Sequence, residues 1–338
     1  MTHAIVPTQS ISQIGQVANA YASRQAFNDY QTRKSSNTLR AQRSDLATFA
    51  GYLCEAGITE CPTGDDLQND PDAWQGVTWG LVSGFVQWMQ PKGFAVASIN
   101  RKLMSVKVYA GLAAKAGILD PHENTLIHAV ATFAHKEVNR VNEKRTVTRQ
   151  STKKEINVSI TPAQAKELKL QPSGPQGRRD AVIMCLLLDH GLRVGELARL
   201  TVNNINMARG ELVFFRDKVQ KTQRHAMTPD TKRALASWFN TGDVPAMGSL
   251  LRKSIKGGAL GGAGMGEHSI NIRVGELGER IGKENLGPHD CRHFWATNAI
   301  QRGTDPFALM QAGGWTSMQT VQKYVDENVV ANAGVKVE

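Results

Sequence analysis

The sequence predicts a mainly α-helical protein of two domains, the second carrying a small antiparallel β-sheet. Three observations predict it. The chain has 338 residues, 41% of them apolar, which is enough to build two separate cores. Apolar residues recur at helical spacing through most of the length. Only "GELVFFRDKVQKTQRHAMTP" reads as a pair of short strands, folded around a basic turn.

Residues 1–34 hold a short helix with Ile11, Ile14, Val17, Ala18 and Tyr21 on one side, too little for a domain. A helical domain follows over 35–145. "SSNTLRAQRSDLATFAGYL" puts Leu39, Leu46, Phe49 and Leu53 on one face, and "VTWGLVSGFVQWM" follows a polar loop containing Asp and Pro. "VASINRKLMSVKVYAGLAAKAG" is offered a start by Ser98 and a stop by Gly117, and "NTLIHAVATFAHKEVNRV" closes the domain. Periodicity then fails between 140 and 157, where Arg140, Lys144, Arg145, Arg149, Lys153 and Lys154 accumulate. This is a basic linker, set at 146–156.

The second domain spans 157–338. Thr161 and Pro162 begin its first helix. Helix "RRDAVIMCLLLDHG" leads into "RVGELARL", the two strands come next, and helices resume at "TKRALASWF". The stretch "KGGALGGAGMG" (256–266) has neither a preceding strand nor the GK[ST] ending of a phosphate-binding loop, so it reads as a flexible connector. No internal repeat is evident.

Forty Lys and Arg against thirty Asp and Glu leave a net charge of +10, which favours a polyanionic partner such as nucleic acid. The longest apolar run, "AVIMCLLL" (181–188), is too short to span a bilayer, and the N-terminus has no basic region followed by an apolar one. A cytoplasmic, DNA-associated protein without a membrane partner is expected. Cys54, Cys61, Cys185 and Cys291 have neither zinc-site pairing nor disulfide-scaffold density, so they read as free thiols.

The chemistry centres on "QAGGWTSMQTVQKYVDE" (311–327), where a Gly-Gly-Trp corner precedes Tyr324. Met318, Val321 and Tyr324 recur every three residues, and that stripe alone would make Tyr324 a packed core aromatic. Three other stretches change its weight: "GLRVGEL" with Arg193 and Glu196, "VQKTQRH" with Lys221, and "GPHDCRHFW" with His289, Arg292 and His293. Each is weak alone. Together with Trp315 they supply what metal-free phosphoryl transfer on a DNA backbone requires. Negative charge gathers on the non-bridging oxygens in the transition state, and guanidiniums present paired, permanently charged donors to them. A tyrosine hydroxyl, with a pKa of about 10, attacks once its proton is accepted or its phenolate stabilised. His289 can act as base or as donor to the phosphate. The leaving 5′ oxygen needs a proton, which Lys221 on the hairpin can deliver, with Lys218 three residues earlier as its competitor. No metal and no cofactor are called for.

In their order and separations, "GLRVGEL", "KTQRH", "HDCRH", "GGW" and "KY" resemble the tyrosine recombinase (phage integrase) family. "QAGGWT" resembles its Cre branch, where tryptophan takes a position that many relatives give to histidine. The resemblance implies a C-shaped clamp on double-stranded DNA, formed by a helical core-binding domain and a catalytic domain, with a homotetramer holding two inverted-repeat sites. It implies Tyr324 as nucleophile, Arg193 and Arg292 on the scissile phosphate, His289 and Trp315 hydrogen-bonded to it, Lys221 as general acid and Glu196 orienting its neighbours. The cycle it implies runs through a 3′-phosphotyrosyl link, a free 5′ hydroxyl and a Holliday junction. Residues 1–34 look too short for the arm-binding domain of large phage integrases, and the tail after Tyr324 is short for the family's docking helix. A type IB topoisomerase shares the tyrosine, arginines and lysine, and a non-catalytic DNA-binding protein is a third reading. For base contacts the candidates are Arg40, Arg101 and Lys107, which serve equally well as phosphate contacts or solvated charges.

Overall fold

The computed structural model describes residues 10–134, 137, 140, 157–244 and 246–326. The linker read at 146–156 and the tail beyond 326 therefore lie outside the described residues. The chain divides into two compact units, Met1–Lys153 and Lys154–Glu338.

In the first unit, α1 (Ile11–Thr32) opens on a capping box between Ser10 and Gln13 and is longer than the short helix expected. Its expected apolar side is exposed: Ile11, Ile14, Val17 and Tyr21 face solvent, and only Phe27 is buried. Helix α2 (Ser36–Glu55), capped by Ser35, buries Leu46, Phe49 and Leu53 as its periodicity requires. Helices α3 (Gly64–Asn69) and α4 (Trp79–Met89) start on Thr63 and Thr78 caps. The Phe49 ring lies 5.1 Å from that of Phe85 and 6.1 Å from that of Trp74, an aromatic centre for this core.

Two boundaries differ from expectation. Helix α5 (Val96–Lys115) begins before Ser98, on Ala95 and without a side-chain cap. Helix α6 (Pro121–Ala129) starts on Asp120 and stops well short of residue 141. The stop has a local cause, because Asn100 both donates to Phe133 O and accepts from Phe133 N, each at 2.9 Å, which holds that backbone out of a helix. A third correction concerns the thiols. Cys54, near the end of α2, and Cys61, in the loop after it, are bonded as a disulfide, with Cα atoms 5.5 Å apart; Cys185 and Cys291 are free and buried.

The second unit is built around α8 (Pro175–His190), whose run from Val182 to Leu188 is buried throughout. A helix apolar on every side must be surrounded. It is packed by α7 (Pro162–Lys169), α10 (Pro229–Asn240) and α12 (Pro288–Gln301). The expected hairpin is present as β2 (Glu211–Arg216) and β3 (Lys221–Ala226), antiparallel with Phe214 opposite Gln223 and Arg216 opposite Lys221. A two-residue β1 (Ile205–Asn206) adds a third strand beside β2.

The glycine-rich stretch is not simply a connector. Much of it forms a second hairpin, β4 (Arg252–Ser254) with β5 (Leu260–Gly264), which turns through Gly257 and Gly258 at positive φ. Buried Arg179 anchors it by donating to Arg252 O and Ser254 Oγ. Helices α9 (Val194–Ala198), α11 (Glu267–Arg280), α13 (Pro306–Gly313) and α14 (Met318–Asp326) complete the unit. No described helix is long and apolar enough to cross a membrane.

The buried His190 at the end of α8 and the half-buried His225 on β3 have their rings 5.7 Å apart. Burial lowers the pKa of each from 6.5 to about 4; Asp189 opposes this at His190, whereas His190 and Arg216 add to it at His225. With the folded pKa depressed, the unfolded chain takes up protons first as pH falls below 6.5. Stability is therefore full above about pH 7 and is lost toward pH 4. Between pH 7 and pH 5 the expected loss is roughly 2 kcal/mol per histidine, read from urea midpoints, and His225→Gln should flatten the slope. A pH-independent midpoint over that range would contradict the lowered pKa of both rings.

Candidate active site

Helix α8 ends on Gly191 in the left-handed conformation (φ 59°), where a Cβ would collide with the Trp295 ring. The reversal leaves Arg193 at the N-cap of α9. There its backbone N–H and its Nη1 each donate to the Glu196 carboxylate, both at 2.8 Å, while Nη2 reaches Gly314 O at 3.3 Å. The Arg193 side chain keeps 26% exposure, so part of its guanidinium remains available to a ligand.

Helix α12 contributes the next group. Pro288 occupies its first turn, and buried Asp290 accepts from Gly287 N and from Val158 N, fixing the turn that carries His289. One turn on, buried Arg292 donates to Gly191 O and Gly313 O and lies over the Trp315 ring, 4.6 Å from its centroid. Burial, then the charges of Arg193 and Arg216, pull the Arg292 pKa down to about 9. A negative charge beside it would act against that shift and favour the charged guanidinium.

Helix α13 ends at the Gly-Gly-Trp corner. Gly314 is left-handed (φ 58°), and a Cβ there would strike the Arg216 side chain, so only glycine lets the corner sit against that arginine. Trp315 follows, and α14 brings Tyr324 back beside it. The Tyr324 ring meets His293 edge-on at 4.9 Å and lies 5.5 Å from Trp315. It packs with Ala296, Leu309 and Val321, so the stripe that suggested a core aromatic is real. The ring is core and the residue still faces a cavity.

That cavity, of about 500 Å³, is lined by Arg193, Lys218, Val219, His289, Arg292, His293, Trp315, Thr316, Thr320, Lys323 and Tyr324, with Asn157 and Gly314. Arg193, His289, Arg292, Trp315 and Tyr324 are brought together from four separate segments. Glu196 lies behind them, bridging Arg193 and the fully buried Arg216, the latter at 2.7 Å. Burial alone would raise the Glu196 pKa, but the Arg216 charge and the Arg193 contacts hold it below the ordinary carboxylate value.

Lys221 is not among the lining residues. The turn of the hairpin falls at Asp217–Val219 and Gln220, so Lys218 is at the tip and faces the cavity, whereas Lys221 is the first residue of β3. Lys221 instead borders a separate depression with Gln223, His225 and Ala308. The periodic spacing of the two lysines could not reveal where the turn would fall. Thr316, Thr320, Lys323 and Asn157 went unnoticed in the sequence, and only Lys323, beside the tyrosine, offered a signal.

The base-reading candidates on the first unit fare unequally. Arg40 is exposed and donates to Asn37. Arg101 is half exposed but tied to buried Asp45, which also accepts from Lys102 and Ser105. Lys107 is a correction: it is buried, and its ammonium donates to His128 O at 2.8 Å and Val130 O at 2.5 Å, closing α5 onto the end of α6. It presents no charge to a partner.

Two arginines, two histidines, two lysines and a tyrosine around one cavity make a cationic pocket whose chemistry suits an anionic oxygen centre. The chain belongs to the phage integrase family, whose model matches residues 158–330. It is 25% identical over 299 residues to the tyrosine recombinase XerC of Herpetosiphon aurantiacus, spanning 85% of this chain and 84% of that protein. A shorter match, 32% over 148 residues, links it to XerC of Pseudomonas fluorescens, spanning 43% of this chain and 47% of that one. Among solved structures, the Tn1549 transposon integrase in complex with transposon right end DNA aligns with a TM-score of 0.57 at 18% identity, covering 89% of this chain and 94% of that one. A lambda integrase dimer bound to a COC′ core site also gives 0.57, at 12% identity over 94% of this chain and 98% of that one.

Proposed function

We propose that this protein is a site-specific tyrosine recombinase that cuts and rejoins double-stranded DNA. One observation carries the reading: Arg193, Lys218, His289, Arg292, Trp315 and Tyr324 line a single cavity. In the proposed step the Tyr324 oxygen attacks the scissile phosphorus while its proton passes to His289 or solvent. The bond from phosphorus to the 5′ oxygen breaks, and Lys218 protonates that oxygen. A 3′-phosphotyrosyl link and a free 5′ hydroxyl result. Arg193 and Arg292 hold the non-bridging oxygens, with His289 and Trp315 as further donors, and Glu196 keeps Arg193 oriented. Attack by a 5′ hydroxyl from a second duplex reverses the chemistry, and a second round resolves the Holliday junction. Each step exchanges one phosphodiester for another, so no nucleotide cofactor is consumed. Two duplexes with paired half-sites call for four copies on an inverted-repeat target. The similarity to XerC tyrosine recombinases supports recombination over relaxation alone.

The test uses the full chain with nicked duplexes of randomised sequence, in EDTA. A denaturant-resistant protein–DNA species is expected, and sequencing the captured DNA should converge on an inverted repeat that then supports exchange between two duplexes. Covalent capture with relaxation of supercoiled DNA but no exchange product would make it a topoisomerase. Sequence-selective binding without covalent capture would make it a binding protein.

A further inference from the structure

We infer that Arg216 is a positioning residue that locks the Lys218 hairpin against the Gly-Gly-Trp corner and so aims the lysine at the leaving oxygen. This rests on the recombinase reading above. At the end of α13, four consecutive carbonyls each accept from a side chain. Gln311 O takes Gln223 Nε2 at 2.6 Å, Ala312 O takes Arg216 Nη2 at 2.7 Å, Gly313 O takes Arg292 Nη2, and Gly314 O takes Arg193 Nη2 at 3.3 Å. Carbonyls at a helix C-terminus lack a full set of helical partners and carry partial negative charge, so cationic donors suit them. The first two donors of this set belong to the hairpin, and the last two are the phosphate-binding arginines.

Arg216 is the joint between these groups. It is fully buried yet uses its guanidinium in three directions: Nη1 to Glu196 at 2.7 Å, Nη2 to the corner, and Nε to Gln223 Oε1 on the opposite strand at 2.5 Å. Glu196 in turn holds Arg193. Arg216 is the last residue of β2, and Lys218 stands two residues on, within the turn Asp217–Val219. Fixing Arg216 therefore fixes the base of the turn that aims Lys218. Arg216 does not line the cavity itself, so it acts through the lysine and the corner rather than on the phosphate. A buried guanidinium is a costly way to fill a strand position unless its directional bonds matter, because an apolar residue of similar volume packs there without desolvation.

The test compares Arg216→Met with wild type on nicked DNA and on the same DNA with sulfur in place of the bridging 5′ oxygen. Arg216→Met is expected to bind DNA nearly normally and to cleave ordinary DNA about 100-fold more slowly, with most of the loss restored by the sulfur leaving group. In a Lys218→Ala background the same change should add little, since both act on one step. Gln223→Ala, which loosens the same joint and keeps the charge, should give a smaller loss of the same kind, and it carries the test if Arg216→Met fails to fold. Unchanged cleavage in the folded variants, equal losses on both substrates, or full additivity with Lys218→Ala would overturn the inference. If wild type forms no covalent species, the recombinase reading itself falls, which is a separate outcome.

Discussion

Tyr324→Phe is expected to bind its DNA target with near-normal affinity and to form no covalent complex. The tyrosine ring packs with Ala296, Leu309 and Val321 and against His293 and Trp315, and phenylalanine preserves all of that apolar contact. Stability should change by about 1 kcal/mol or less, the usual scale for one hydroxyl. Chemistry should fall on the order of 10⁴-fold or more, because no neighbouring group can replace the attacking oxygen. Denaturing gels on nicked duplexes read the covalent species, and mobility shifts on intact duplexes read binding. A denaturant-resistant band from the phenylalanine variant would place the nucleophile elsewhere, with Thr316 and Thr320 as the other hydroxyls on the same cavity wall.

How much of this was legible in the sequence depended on the kind of signal each residue gives. The buried run of α8 and the β2–β3 hairpin were readable because burial imposes a period or an unbroken apolar stretch on the residues themselves. Arg193, His289, Arg292, Trp315 and Tyr324 were readable as a chemical set, although nothing in their spacing says that four segments converge. Lys107 was misread because helical position cannot tell an outward lysine from one whose ammonium meets backbone carbonyls. Here the two carbonyls, of His128 and Val130, come from more than twenty residues away. The glycine-rich stretch gave no strand signal, since it has few side chains to show a period of two and its partner strand β4 is held from another segment by Arg179. Arg216 did leave a trace. Leu212, Phe214 and Arg216 alternate on the buried side of β2, so the period of two put an arginine at an inward position, where it needs partners.

Lys218→Ala is expected to lose cleavage on ordinary DNA by about 100-fold or more and to recover most of it when sulfur replaces the bridging 5′ oxygen. A proton donor matters while the leaving group is an alkoxide. A thiolate leaves unprotonated at neutral pH, so the step no longer depends on the lysine. Lys221→Ala should cleave both substrates nearly normally, because Lys221 begins β3 and borders a different depression. Arg292→Ala should remain defective on both, since its role is to hold the phosphate whatever atom departs, and its loss also removes donors from Gly191 O and Gly313 O. Gel quantitation of covalent product on the paired substrates separates the cases. Sulfur rescue of Lys221→Ala instead would mean that the hairpin shifts on DNA by enough to exchange the two lysines. Equal defects of Lys218→Ala on the two substrates would make that residue a phosphate ligand rather than the acid.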